Sequence, residues 1–450
     1  MLVGIDSLRK QGFGLLRGKR VGLLSHQAAL TASGATSAQL LRNAIGKRLV
    51  ALYGPEHGFF GQAGAGEKTH TREHPDWHIP VYSLYGERRK PSPEMLEGVD
   101  IVVCDLQDLG VRCYTYLATL RNMMEACAEA GVEVIVCDRP IPLPRIVDGP
   151  MLDERHTSFV APCALPMVYG MTPAETARWI KAKYHLNVNL TVVPMEGWSR
   201  KDAAWDGSRP DWIPPSPGIK TWETAMTYAA TVFTEALTGI DCGRGTNLAF
   251  RVLGAPWMKT EWFDVSWCPS RHAYHYPLGG VKFHPCHYTA GAGPYAGQEI
   301  NGVRLSVTDP SHFCPVRTSV IILRSLDISY KCMCDFQASA KLPLDLCLNR
   351  YTNGKIRLRK MRPEWLDKLY LQTLEILYKD VHPPKSDSVW RCKEAKVNPE
   401  WFDKLYGGDQ TRLALQSRTP LHTLFSTWQE ERKPFLRERK QALIYARNST

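Results

Sequence analysis

Four short apolar runs in the first third of the chain each end in a cluster of polar residues. Val21-Gly22-Leu23-Leu24 opens into Ser25-His26-Gln27, and Leu49-Val50-Ala51-Leu52-Tyr53 opens into Gly54-Pro55-Glu56-His57-Gly58. Ile101-Val102-Val103-Cys104 leads to Asp105-Leu106-Gln107-Asp108, and Val134-Ile135-Val136-Cys137 leads to Asp138-Arg139-Pro140. Apolar residues at three- and four-residue spacing predict helices over Ala35–Asn43, Thr115–Ala130 and Thr172–Lys183. The last begins with threonine as N-cap, Pro173 at the first helical position and Glu175 at the third. Strands alternating with helices predict an α/β fold with a mainly parallel, doubly wound sheet. In such a sheet, ligands bind outside the carboxyl ends of the strands at a topological switch point. The polar clusters therefore predict an active-site cleft.

Leu190–Val193 reads as a further strand, followed by a Trp- and Pro-rich loop over Trp198–Pro217 and a helical stretch over Thr221–Thr238. The composition shifts after Pro256. Trp262–Tyr295, rich in His, Cys, Tyr, Pro and Gly, suits an irregular loop. Val303–Val307 and Ser319–Leu323 look like strands, Glu364–Tyr378 like a helix, and the tail from Trp428 like a basic amphipathic helix. With 450 residues, more than one core usually supports, the expectation is two domains: 1–255 carrying the cleft, and a smaller α+β domain over 256–450.

Composition narrows the function classes only a little. The formal net charge of +11 favours acidic partners, but the basic residues are dispersed except over Arg432–Lys440. No zinc-finger, aromatic RNA-binding or basic-zipper pattern is present, so nucleic acid is not an expected partner. An anionic small substrate accounts for the charge equally well. No apolar run has the length of a membrane span, so no stable membrane insertion is expected. The Asp6–Arg20 stretch lacks the apolar core of a signal peptide. The expectation is a cytoplasmic chain, or a mature form whose leader has been removed. Thirteen cysteines, several inside predicted strands, suit buried reduced thiols better than a disulfide framework.

Among the motifs, Glu56 and His57 sit in a turn framed by Pro and Gly, which fixes the backbone and exposes the side chains between them. This turn is either a general acid with its neighbour or a helix-capping glutamate. Asp105, Gln107, Asp108, Arg112 and Tyr114 form a dense polar set. Paired acids there suit glycoside hydrolysis, and an Asp–Arg pair fixing the loop is the structural alternative. Arg139 is either a salt-bridge partner or a substrate contact. In Gly243-Arg244-Gly245-Thr246, glycines allow close backbone approach while arginine can grip a carboxylate bidentately. Gly61–Thr69 resembles a phosphate loop but fails on register, because Glu67 separates Gly66 from Lys68. It reads instead as a loop over the cleft. Cys268, His272, His275, His284, Cys286 and His287 match no paired zinc spacing, so no metal is assigned.

In this order, Gly54–Gly61, Pro80-Val81-Tyr82-Ser83-Leu84-Tyr85-Gly86, Asp105–Tyr116, Asp138-Arg139-Pro140, Gly170-Met171-Thr172, Pro215-Ser216-Pro217 and Gly243–Thr246 resemble the NamZ-type exo-β-N-acetylmuramidases. The likeness continues to the terminal Leu443-Ile444-Tyr445. It implies a Rossmann-like first domain, a smaller C-terminal domain bordering the cleft, and removal of terminal N-acetylmuramic acid from peptidoglycan-derived glycans or muropeptides without a cofactor. It also implies that Glu56 is the catalytic acid. His57, Tyr82 and Tyr85 would orient it or hold the sugar, and Asp105 or Asp108 would be the base, nucleophile or charge stabiliser. Arg112 or Arg244 would pair with the lactyl carboxylate, and Gln107, Tyr114, Arg139 and Thr246 would complete the substrate site. Ile141 and Gly218 stand where the family usually has asparagine. A non-catalytic sugar-binding protein and a nucleotide-dependent transferase are the competing readings.

Overall fold

The computed structural model describes residues 1–64, 66–201, 212–258, 279–324, 396–417 and 419–445. Helix α1 (Gly4–Lys10) leads to β1 (Val21–Ser25), α2 (Ser37–Ile45) and β2 (Leu49–Gly54). After β3 (Arg72–Glu73), β4 (Pro80–Ser83) and α3 (Pro93–Leu96) come β5 (Ile101–Asp105), α4 (Tyr116–Ala130) and β6 (Glu133–Cys137). The hairpin-like pair β7 (Asp148–Met151) and β8 (Pro166–Val168) then precedes α5 (Pro173–Lys183) and β9 (Leu190–Val193).

The main sheet runs β3-β4-β2-β1-β5-β6-β9. Its last six members are mutually parallel, and β3 lies antiparallel on the edge. The chain steps outward from β1 to β2 and β4, then crosses back to β5 on the other side of β1 and continues to β6 and β9. This is the Rossmann order, and it puts the switch point between β1 and β5. Parallel strands covered on both faces need apolar residues at nearly every position. Within β5, Val102 and Cys104 join the core layer containing α4, while Ile101 and Val103 join the opposite layer containing α1 and α2. The predicted helices and strands of this half form within a few residues of the expected limits.

The further described elements include α6 (Trp222–Thr231), a 3-10 turn (Val232–Ala236) and β10 (Leu237–Thr238), which pairs with β14 (Lys396–Val397). A three-stranded antiparallel sheet, β11-β13-β12, is built from β11 (Val252–Ala255), β12 (Val281–Thr289) and β13 (Glu299–Val307). Helices α7 (Pro399–Tyr406), α8 (Gln410–Gln416) and α9 (Leu421–Ala442) complete this smaller C-terminal region. Among the described residues no helix is long and apolar enough to cross a membrane. The eight described cysteines are free thiols, six of them buried.

Two local expectations are corrected. Val281–Thr289, expected as loop, is an edge strand whose proline at 285 is tolerated because one side of the strand needs no ladder partner. Ser319–Leu323, expected as a strand, lies inside the helical stretch 315–324. A short apolar run carries no period that separates a strand from a buried helix. The deciding contact is remote: the Asp148 carboxylate accepts the Val316 and Arg317 N–H groups at 2.8 and 3.0 Å, satisfying the first turn. The predicted helix Glu364–Tyr378, along with Cys268, His272 and His275, lies outside the described residues.

Asp148 is fully buried and also pairs with Arg317 at 3.4 Å and with Arg432 of α9 at 3.7 Å. Replacing it with alanine strands a buried guanidinium and should cost about 3 kcal/mol. Calorimetry should show the thermal midpoint falling by several degrees. Asp148→Asn, which can still accept the helix N–H groups, should lose less.

Candidate active site

The β2 strand ends in a turn that reverses tightly. A Cβ added to Gly54 would lie 2.9 Å from the Gly58 carbonyl carbon, so no larger residue fits without moving the turn. His57 and Gly58 both have left-handed backbones, φ 69° and 77°, and at a non-glycine residue this conformation carries strain. It is held by Gly58 N–H donating to the Pro55 carbonyl at 2.9 Å and by His57 Nδ1 on the Ala63 carbonyl at 3.0 Å. A carbonyl only accepts, so Nδ1 carries the proton.

Glu56, half-buried, projects from this turn. Thr115 Oγ1 donates to its Oε2 at 2.7 Å, and the Gly66 N–H donates to Oε1 at 3.0 Å. The glycine-rich segment thus folds over Glu56 rather than making a phosphate cradle. Tyr85 also faces this carboxylate. Burial, and then the Glu56 charge and hydrogen bond, resist loss of its phenolic proton, with Arg89 opposing.

Just beyond the ends of β1 and β5 lie His26 and Gln107. His26 Nε2 accepts the Gln107 N–H at 2.9 Å, and its ring meets Tyr116 edge-on with centroids 4.9 Å apart. Burial, with the Arg139 and His57 charges, holds its pKa well below the ordinary histidine value, so the ring is neutral. Tyr116 donates to the Pro215 carbonyl at 2.6 Å, and Gln27 Nε2 donates to the Pro214 carbonyl at 2.9 Å, which docks the 214–217 loop onto the sheet edge. The Gln107 amide donates to the Pro140 carbonyl at 2.8 Å. Asp108 Oδ1 accepts from Gly110 N–H at 2.7 Å and from the Tyr169 hydroxyl at 3.3 Å, and burial pushes its pKa up to about 6.

An aromatic series links the two halves: Tyr116 to Tyr114 (4.7 Å), Tyr114 to Tyr228 (6.0 Å) and Tyr228 to Phe250 (4.9 Å), with the Arg244 guanidinium 4.7 Å over Phe250. Burial raises the pKa of Tyr114 and Tyr116, and the charges of both Glu56 and Asp108 add to it. The charges of both carboxylates therefore act on one tyrosine pair. The His26 Nδ1 and Gln27 Oε1 atoms are buried without a hydrogen-bond partner. Buried polar atoms are seldom left so. Such a concentration beside two carboxylates suits a polyhydroxylated ligand.

Other candidate residues serve the frame. Asp105, fully buried, accepts Arg139 Nε and Nη2 at 2.5 and 2.9 Å and also the Ser37 hydroxyl. Arg112 is equally buried, and its guanidinium donates to the carbonyls of Pro150 (3.0 Å), Leu165 (2.5 Å) and Leu405 (3.3 Å). Burial lowers its pKa to about 10. It stitches α7 to the β7–β8 pair and does not face the tyrosines' cleft. Arg244 pairs with Glu235. The Thr246 hydroxyl closes its own turn, donating to the Gly243 carbonyl at 2.6 Å and accepting from Leu248 N–H at 2.9 Å. Tyr82 stacks on Tyr53 at 5.6 Å.

Ile141 is buried against Gly110, where an added Cβ would lie 2.9 Å from its Cδ1. At Gly218 an added Cβ would lie 2.9 Å from the Phe250 ring, so the aromatic series fills the space a side chain would need. His26 and Gln27 lie in one of the four polar clusters and Thr115 and Tyr116 in the Asp105–Tyr116 motif, but the sequence motifs assign none of them, nor Tyr169, a role of its own. The position of His26 directly after an apolar strand is the one signal that points to it. His284, Cys286 and His287 lie on β12, with His287 Nδ1 bonded to Asn301 at 2.8 Å. Among the described residues no three metal-ligating side chains converge.

Two family profiles match the chain. That of the N-terminal domain of exo-β-N-acetylmuramidase NamZ covers residues 21–223, and that of its C-terminal domain covers 226–445. The peptidoglycan β-N-acetylmuramidase NamZ of Bacillus subtilis (strain 168) is 37% identical over 328 residues, 73% of this chain and 77% of that protein. A DUF1343 family protein of Bacteroides fragilis NCTC 9343 superposes with a TM-score of 0.76 at 27% identity over 99% of both chains. A second protein of that family and organism superposes with a TM-score of 0.64 at 23% identity over 99% of both chains, a likeness of fold.

With its carboxyl at about 6 instead of 3.8, Asp108 keeps a proton in the folded chain that the unfolded chain releases. Its contribution to stability is present below about pH 4 and is lost as pH rises to about 6, a change of about 3 kcal/mol. Asp108→Asn can still accept both hydrogen bonds through its amide oxygen. Urea unfolding across this range should show a flatter pH dependence for the variant than for the parent.

Proposed function

The chain belongs to the exo-β-N-acetylmuramidase NamZ family, and on that premise we propose that it is an exo-acting glycoside hydrolase. It releases terminal N-acetylmuramic acid from the non-reducing end of peptidoglycan fragments. The observation that carries this reading is a pair of carboxylates near the switch point of the sheet, Glu56 held by Thr115 and the Gly66 N–H and Asp108 held by the Gly110 N–H and Tyr169, whose charges both act on Tyr114 and Tyr116.

Glycoside hydrolysis needs a proton delivered to the leaving oxygen and negative charge or a nucleophile against the oxocarbenium-like carbon. Glu56 is the proton donor. Thr115 and the Gly66 N–H fix its two oxygens, and Tyr85 holds it from the side. Asp105 is neutralised by Arg139 and Ser37, which leaves Asp108 as the acid able to offer charge to the sugar. With a pKa of about 6, Asp108 is mostly ionised at neutral pH. Tyr114, Tyr116, Gln27 and neutral His26 present an aromatic face and hydrogen-bonding atoms to the sugar ring and its acetamido group. The reading favours catalysis over sugar binding alone because Glu56 is held at both oxygens yet remains half-exposed, as a proton donor must be.

Glu56→Gln preserves the shape of the side chain, its amide oxygen accepting from the Gly66 N–H while the rotatable Thr115 hydroxyl turns to accept from its NH2, but removes the transferable proton. Release of N-acetylmuramic acid from a peptidoglycan-derived disaccharide should fall about a thousandfold with an unchanged thermal midpoint. Release within a few fold of the parent rate refutes the assignment.

A further inference from the structure

The loop that carries Glu56 also borders a cavity. Between residues 57–72 and β4 it encloses about 280 Å³, at the small end of ligand pockets. Such a volume suits a single substituent or ring. His57, Phe60, Lys68, Thr69, Arg72 and Tyr82 are among its walls. Phe60 underlies the Arg72 guanidinium at 4.5 Å, and Gln62 Oε1 accepts from Arg72 at 3.2 Å. Among the described residues no carboxylate pairs with Arg72 or Lys68. The acid in the wall, Glu67, accepts the Gly64 N–H at 2.7 Å.

The arginines first expected at the substrate are otherwise engaged. Arg112 is spent on carbonyls, Arg139 on Asp105 and Arg244 on Glu235. Lys68 lies along Gly86, where an added Cβ would touch its Cβ at 3.4 Å. That position is next to Tyr85, and Lys68 follows the Gly66 N–H that binds Glu56 by two residues. The cavity wall and the Glu56 carboxylate thus belong to one loop. An ammonium and a guanidinium held on an aromatic face form a receptor for a carboxylate.

We infer that this cavity receives the lactyl carboxylate of the terminal muramic acid, with Lys68 and Arg72 as its partners. The inference rests on the function proposed above and adds the specificity device: a charged arm recognised beside the catalytic loop. Arg89, which lies over Phe159 at 4.4 Å beside Tyr85, is the rival cation outside the cavity.

The test compares two chromogenic β-glycosides of N-acetylmuramic acid, one with a free lactyl carboxylate and one with its methyl ester. The parent should favour the acid by about 10- to 100-fold in kcat/KM, as expected for charge-assisted hydrogen bonds. The double variant Lys68→Met/Arg72→Met should lose that preference, mainly through hydrolysis of the acid, while Arg89→Met should keep it. A parent that does not distinguish acid from ester overturns the inference, as does a double variant that still distinguishes them or loss of the preference in Arg89→Met alone. A parent that cleaves neither glycoside, nor the natural disaccharide, counts instead against the glycosidase reading.

Discussion

The site depends on one buried ion pair. Asp105, the last residue of β5, receives the Arg139 guanidinium from just beyond β6 and the Ser37 hydroxyl from the start of α2. Three segments that are distant in sequence are fixed at the carboxyl edge of the sheet. The cost of dehydrating both charges is offset only when partner and geometry are both present, and removing either leaves a buried charge unpaired. Gln107, two residues beyond Asp105, then has its N–H aimed at His26 and its amide at Pro140, so the ion pair sets the positions from which the cleft is built.

A similar economy holds on the far side of β6. Asp138 accepts hydrogen bonds from Arg139 N–H, Ala174 N–H, the Thr172 hydroxyl and the Tyr445 hydroxyl, and burial raises its pKa to about 7. Glu175, from the capping box of α5, accepts the Ile444 N–H at 2.9 Å. Ile444 and Tyr445 are thereby clamped to the end of a strand some 300 positions earlier, with the Arg439 side chain of α9 on the carbonyls of Tyr169 and Gly170. The Gly-Met-Thr and Leu-Ile-Tyr motifs are parts of this clamp.

Acids and arginines in loops at a sheet edge have two uses that look alike in a sequence. Asp105, Arg112 and Arg139 hold loops in a low-dielectric setting where backbone carbonyls and charges need partners. Partners separate the classes: Asp105 is paired with a guanidinium and Arg112 with three carbonyls, whereas among the described residues Glu56 and Asp108 are held by N–H and hydroxyl donors and by no cation.

The apolar runs by themselves specified the parallel sheet, because strands covered on both faces leave a continuous apolar record. The capping residues specified the helix starts, and the Pro-Glu-His-Gly turn marked Glu56, because these are local matters of backbone and hydrogen bonding. Tertiary structure decided that Asp108 rather than Asp105 remains uncommitted to an arginine, that Arg112 serves carbonyls, and that 315–324 is a helix capped by Asp148. Each of these turns on a partner tens to hundreds of residues away, and the energy of a charge or a capped N–H depends on that partner's distance and burial, which local sequence does not encode.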